Sequence, residues 1–328
     1  MNTRLATTIL ALLSAVAICR AGAPKKFDIP SAIPGKDGYF FLAAELEQLA
    51  AGEFWGDAAA NVSQATKPEW ADPLPAILDF NSQLKELGIG LLLVPVPLKS
   101  AECAGKLPDE IASALPAGAK DDPAQKAFFK VLSDAGVEVL DLSDALDESS
   151  YCLTDTHWTP KACEAAAAAI IAKIGGQPWI DEAAKPGSFT AKETELKITG
   201  DLARMADEAT TITETLPMRK VEGATEDKSS PLLLLGDSHC LVFHVGGDLF
   251  ATGGGLADQL AFALQMPIDV LGVRGSGATP ARQNLFMRAK ADPAYLAGKK
   301  IVVWCFASRE FTQSQQGWRK LPVQPKKK

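Results

Sequence analysis

The sequence predicts an α/β fold, a parallel sheet with helices on both faces. Three observations predict it. Short apolar runs, such as 89–96 and 232–235, contain no charged or hydroxyl residue, the pattern of strands buried on both faces. Segments of helical period separate these runs, and Gly or Pro punctuates the joins, which is the alternation that builds parallel sheets. One apolar run leads directly into Gly236-Asp237-Ser238, a turn placed where such sheets put their sites, beyond the carboxyl ends of the strands.

In chain order, Met1–Arg4 gives a positive start, an uncharged apolar run follows to Cys19, and Ala21-Gly22-Ala23 is a small-residue cleavage site. Residues 1–23 therefore read as a secretory signal peptide, too short for a comfortable membrane span. The mature chain, 24–328, reads as a single domain. Gly35-Lys36-Asp37-Gly38 turns into a short strand at Tyr39-Phe40-Phe41. A helix over 75–87 ends at Gly88 and feeds the strand at 89–96. The unit repeats with a helix over 123–135, Gly136, and a strand over 137–142. Residues 159–174 form an Ala-rich helix with Pro160 in its first turn, where a missing N–H costs nothing. Residues 177–230 are polar and read as an irregular insertion covering the site. A strand over 232–235, a helix over 256–264, a strand over 268–273, a helix over 281–289 and a strand over 301–306 complete the pattern.

Removing Arg4 and Arg20 with the leader leaves 31 basic and 40 acidic residues, so the net charge of −7 becomes −9. That is no footprint for a phosphate backbone, and nucleic acid is excluded as a partner. Five cysteines remain, an odd number in an oxidising compartment. Cys152 and Cys163 flank the Asp155/His157 segment as a possible staple, whereas Cys240 and Cys305 read as buried thiols. No C-x-x-C pair supports structural zinc.

The chemistry concentrates in two places. A strand ending in Gly-Asp-Ser lifts the Ser238 hydroxyl above the sheet, and a serine needs a base to become a nucleophile. Of three histidines, His157 lies two residues after Asp155, on a loop before a helix. A carboxylate there can hold the imidazole Nδ1–H and free the other nitrogen to take the serine proton. His239 adjoins Ser238, where neighbouring side chains diverge; it reads as a pocket-lining or substrate-touching residue. His244 reads as packed at the following helix start. A zinc site from His157, Asp155 and His239 matches no familiar ligand spacing, so no metal is expected. Arg274 and Arg309 follow strands and either reach the pocket or form structural ion pairs. Trp158 is a sugar-stacking face or packing for the loop, with packing favoured.

The Asp155-Thr156-His157-Trp158 block, followed by Gly236-Asp237-Ser238, resembles the SGNH-hydrolase-like alginate O-acetyltransferase family of the AlgX and AlgJ type. There the Asp-x-His block precedes the Ser block, a circular permutation of the usual SGNH order. Val94-Pro95-Val96-Pro97-Leu98-Lys99, Gly200-Asp201-Leu202-Ala203, the segment from Gly254 to Leu260, and Arg309-Glu310-Phe311 match as well. The resemblance implies Ser238 as nucleophile, His157 as general base and Asp155 as its orienting carboxylate, with no cofactor. It makes Gly255 and Asn284 the candidates for the oxyanion-hole Gly and Asn. It also implies acetyl transfer onto an exported polysaccharide in the periplasm, with a membrane-bound O-acyltransferase partner as donor. Ser238 is followed by His239, where the family pattern leads one to expect a small or aromatic residue. The same triad would serve a polysaccharide O-acetyl esterase, and a non-catalytic polysaccharide-binding or export scaffold is the alternative of another class.

Overall fold

The computed structural model describes residues 31–325 apart from 116–117, 119–120 and 207–211, so the leader read at 1–23 lies outside the described residues. The chain enters through strands β1 (Ala32–Pro34) and β2 (Phe40–Leu42), an antiparallel pair, and helix α1 (Ala43–Ala50). Helix α2 (Pro73–Glu86), strand β3 (Gly90–Val96), helix α3 (Pro123–Asp134), strand β4 (Glu138–Val139) and helix α4 (Pro160–Ile174) follow. Next come strands β5 (Thr190–Ile198), β6 (Glu214–Glu222) and β7 (Leu232–Gly236), then helix α5 (Leu256–Leu264). Strand β8 (Asp269–Gly272), helix α6 (Thr279–Ala291) and strand β9 (Ile301–Ala307) complete the core.

Strands β4-β3-β9-β7-β8, in that spatial order, form one sheet, and every pairing in it is parallel. Alternate residues along each strand face opposite layers. Leu92, Val94, Leu232, Leu234, Val303 and Cys305 pack with α4 and α5 on one face, and Leu91, Leu93, Leu233, Leu235, Val302 and Trp304 with α2, α3 and α6 on the other. Burying each such side chain is worth about 1.5–3 kcal/mol, so continuous apolar strands are what a two-sided sheet requires.

The helix starts follow local chemistry. Asp72 accepts the Leu74 N–H at 3.0 Å, Asp122 the Gln125 N–H at 3.1 Å and Thr159 the Ala162 N–H at 3.2 Å, and each cap is followed by a proline.

Three expectations change. The strand read at 137–142 pairs only over Glu138–Val139, with Leu140 adding one bond to Leu93 O at 2.9 Å. The insertion is not irregular, for β5 and β6 within it form a nine-residue antiparallel hairpin. Leu196, Ile198, Leu216 and Val221 of this hairpin join the layer around α4 and α5. Its other face meets solvent, which is why its composition reads as polar. The five cysteines are free and buried, so the Cys152–Cys163 staple does not form; the Cys152 thiol donates instead to Trp158 O at 3.4 Å. Among the described residues, no helix is long and apolar enough to cross a membrane.

Candidate active site

Ser238 occupies the turn directly beyond β7. A Cβ on Gly236 would overlap the Cys305 carbonyl of β9, so only glycine lets the strand turn there. Asp237 then fastens the turn: its carboxylate accepts the His239 N–H at 2.9 Å and, from β9, the Ala307 N–H at 2.8 Å. Ser238 opens a short 3-10 turn, Ser238–Cys240.

The opposing wall is the loop from Tyr151 to Trp158, whose ends pair as an antiparallel bridge. The loop is braced from four sides. Tyr151 Oη donates to Pro97 O at 2.7 Å. Lys99, 1% exposed, donates to the carbonyls of Leu153 at 3.0 Å and Asp155 at 2.9 Å. Glu214 of β6 accepts the N–H of Leu153 (2.8 Å), the N–H of Thr154 (2.9 Å) and the Thr154 hydroxyl (2.6 Å). Asp201 accepts the Thr156 N–H and hydroxyl, both at 2.8 Å, while its own N–H donates to Asp155 Oδ2 at 2.9 Å. Gly200 makes this last contact possible, because any Cβ there would overlap the Thr154 carbonyl.

These braces aim one hydrogen-bonded chain. Asp155 Oδ1 lies 2.5 Å from His157 Nδ1 and also accepts the His157 N–H at 3.0 Å; His157 Nε2 lies 2.7 Å from Ser238 Oγ. With Nδ1–H donated to the carboxylate, Nε2 presents its lone pair to the serine hydroxyl, the tautomer a general base needs. Burial works against the Asp155 charge, but the imidazole beside it and the Asp201 and His157 N–H groups outweigh it and hold this carboxyl below the usual range. Burial likewise opposes a charge on His157, yet Asp155, and behind it Asp201 and Asp237, push its pKa above the ordinary value. Asp201 moves upward through burial and the Asp155 charge.

The chain opens on a pocket of about 490 Å³ that Ser238, His157, Asp201, Arg204, Arg274, Gly275 and Arg309 help to line. Of the residues singled out by sequence, Asp155, His157, Ser238, Arg274 and Arg309 meet there. Arg274 pairs with Asp248 at 2.5 Å on the exposed rim. Arg309 lies deeper, 3.6 Å from Glu45, and its Nη1 is buried without a hydrogen-bond partner.

Other candidates lie elsewhere. The Gly255 N–H is spent on Asp258 Oδ2 at 3.0 Å as the cap of α5, and Asn284 is exposed on α6, so neither lines the pocket. The glycine that does is Gly275. Among the described residues, neither its N–H nor that of Ser238 has an acceptor. Trp158 is fully buried, so it packs the loop and offers no face to a sugar. His239 is 2% exposed, with its ring 3.0 Å from Asp237 and 4.9 Å, centroid to centroid, from that of His157; it is a buried wall behind His157 and does not line the pocket. His244 binds Asp258 at 3.0 Å, so His157 is the histidine that lines the pocket beside Ser238.

Asp155, His157 and Asp201 place ligand-type atoms within 4.8 Å of one another. The four carboxylate oxygens already accept hydrogen bonds from His157, Asp201 and Thr156, so the cluster serves orientation.

Sequence reasoning assigned no role to Lys99, Gly200, Asp201, Glu214 or Gly275. The segments containing Lys99 and Gly200-Asp201 were visible as motifs, but their contacts cross more than forty residues of chain.

A parallel sheet with helices on both faces, a serine beyond β7 and an Asp-x-His loop facing it define an SGNH-hydrolase-like domain. The chain belongs to the family described as SGNH hydrolase-like domain, acetyltransferase AlgX, whose pattern matches residues 32–308. It is 27% identical over 171 residues to a protein of Pseudomonas syringae pv. tomato named "Probable alginate O-acetylase AlgJ", a stretch covering 51% of this chain and 38% of that one. The chain thus spans well under half of that relative's length. The fold is similar to the O-acetyltransferase domain of Pseudomonas putida AlgJ, with a TM-score of 0.62, 22% identity, and coverage of 86% of this chain and 92% of that one. It is also similar to Pseudomonas aeruginosa AlgX, with a TM-score of 0.61, 18% identity, and coverage of 86% and 63%.

Proposed function

We propose that the protein transfers acetyl groups onto an exported or cell-surface polysaccharide through an acyl-Ser238 intermediate. The observation that carries this reading is the unbroken chain Asp155–His157–Ser238, with steps of 2.5 and 2.7 Å, at the mouth of a pocket. Membership of an acetyltransferase family supports the choice of acetyl, and similarity to a protein named as a probable alginate O-acetylase supports a sugar acceptor.

Ser238 Oγ attacks the acetyl carbonyl carbon while His157 Nε2 takes its proton, and Asp155 stabilises the imidazolium that forms. The N–H groups of Ser238 and Gly275, which line the pocket with no acceptor of their own among the described residues, are the proposed donors to the negative charge developing on the carbonyl oxygen. His157 returns the proton to the leaving group as the tetrahedral species collapses. In the second half, His157 takes the proton of an acceptor sugar hydroxyl, whose oxygen attacks the acyl carbon, and Ser238 regains its proton. Water attacking in place of the sugar would make the same site an esterase. Arg309, deep in the pocket, and Arg274, at its rim, are the groups placed to contact donor or acceptor.

The leader read at 1–23 supports action in the periplasm or outside the cell, and a membrane-bound O-acyltransferase is the proposed acetyl source. The acceptor claim is tested by incubating the protein with a small acetyl ester and a polysaccharide fragment, then weighing both. Acetylated fragment that requires Ser238 is the expected result. Release of acetate alone, at every fragment concentration, would assign hydrolysis. Full activity on a soluble donor, with no membrane partner in pull-downs, would count against the donor assignment.

A further inference from the structure

The nucleophile lies inside a second Asp-x-His. In Asp237-Ser238-His239, Asp237 Oδ1 accepts the His239 N–H at 2.9 Å and lies 3.0 Å from the ring Nδ1. The same pair of contacts holds His157 on Asp155, at 3.0 and 2.5 Å. The two imidazoles pack at a tilt, 4.9 Å between centroids at 57°, and Trp158 meets His239 edge-on at 5.4 Å and 82°. The serine hydroxyl thus bonds one imidazole, while the next residue in the chain supplies the wall on which that imidazole rests.

We propose that His239 is a positioning residue for His157: an imidazole, locked by Asp237 and backed by Trp158, that fixes the plane in which His157 meets Ser238. His239 does not touch Ser238 Oγ, and it is almost completely buried, so it is neither a base nor a substrate contact. Its surroundings keep it neutral. Asp237 on its own turn and His157 and Arg309 from the flanking elements are the charged or titratable groups around it, and burial, ahead of the Asp237 attraction, moves its pKa downward. A charged ring here would set two imidazolium groups side by side once His157 accepts the serine proton; a neutral ring imposes no such penalty.

The inference rests on the triad reading, and Ser238→Ala and His157→Ala keep the two separable. The experiment measures p-nitrophenyl acetate turnover against pH for the full chain and for His239→Ala and His239→Phe, alongside the His157 ring-proton resonance by NMR. His239→Ala removes the wall. Its kcat should fall by about 10- to 100-fold, the range expected when a reacting group shifts by up to an ångström, with KM little changed and the ring-proton signal broadened. His239→Phe restores a flat uncharged wall and should recover most of the loss, even though the Asp237 contact is gone. Wild-type kcat and an unmoved signal in His239→Ala would overturn the proposal. So would a His239→Phe enzyme as impaired as His239→Ala while thermal unfolding shows it folded, since the imidazole's own chemistry would then be required. If His239→Ala does not fold, the phenylalanine variant decides alone. Turnover that survives Ser238→Ala or His157→Ala would instead remove the triad reading beneath it.

Discussion

Replacing Asp201 by asparagine should shift the enzyme's activity toward acid. Asp201 is one of three anions, after Asp155 and ahead of Asp237, that push the His157 pKa upward against burial. The ligand-type atoms of Asp201, Asp155 and His157 lie within 4.8 Å of one another. At an effective dielectric near 20, a unit charge at that distance couples by about 3 kcal/mol. Full loss of such a coupling would exceed a hundredfold, at about 1.4 kcal/mol per factor of ten. Asp201 is itself pushed upward by burial and by Asp155, so the coupling to a full unit charge is an upper bound. The expected gain on the acid side is therefore about tenfold. The sign follows from the mechanism. Neutral His157 is the active base; removing an anion lowers its pKa, and more enzyme is active below neutrality. On the alkaline plateau kcat/KM should fall modestly, because asparagine still offers an oxygen to the Thr156 N–H but no longer an anionic acceptor to its hydroxyl. The assay is kcat/KM for p-nitrophenyl acetate from about pH 5 to 9. An acid limb that stays in place, or moves to higher pH, would refute the reasoning.

Other outcomes follow from the same contacts. Gly200→Ala places a Cβ on the Thr154 carbonyl, a backbone neighbour that cannot swing aside; the displaced Asp155 should cost about 10²-fold in kcat, seen by steady-state kinetics. Glu214→Ala strands two N–H groups and the Thr154 hydroxyl, at about 1–3 kcal/mol per buried donor. Urea unfolding should therefore show a loss of at least about 3 kcal/mol with unchanged slope. Asp155 and Asp237 are held below the usual carboxylate range, so the unfolded chain takes up their protons first. Their stabilisation is complete above about pH 4 and is lost as pH falls further. Asp237→Asn should flatten that acid-side decline in thermal unfolding.

The sheet was legible because burial on both faces leaves no room for polar residues in β3, β7 and β9, and apolar continuity is a local signal. The β5–β6 hairpin was not, since one face meets solvent and its inward residues are scattered among Thr, Glu and Lys. Asp155, His157 and Ser238 could be read because each sits at a strand end or helix start, and few histidines compete. The braces could not. Lys99, Asp201 and Glu214 look like ordinary surface charges in sequence, and only the closed fold sets them on the 151–158 loop. Gly255 was singled out through motif matching and Gly275 was not considered, whereas Gly275, after β8, lines the same pocket as Ser238 and the cap of α5 consumes the Gly255 N–H.

Mass spectrometry of the intact protein after brief exposure to an acetyl ester tests the central claim most directly. The account predicts one acetyl group on Ser238, absent from both Ser238→Ala and His157→Ala, and discharged when a polysaccharide fragment is added. Ester turnover with no adduct on Ser238, or an adduct that persists in His157→Ala at the wild-type rate, would contradict it.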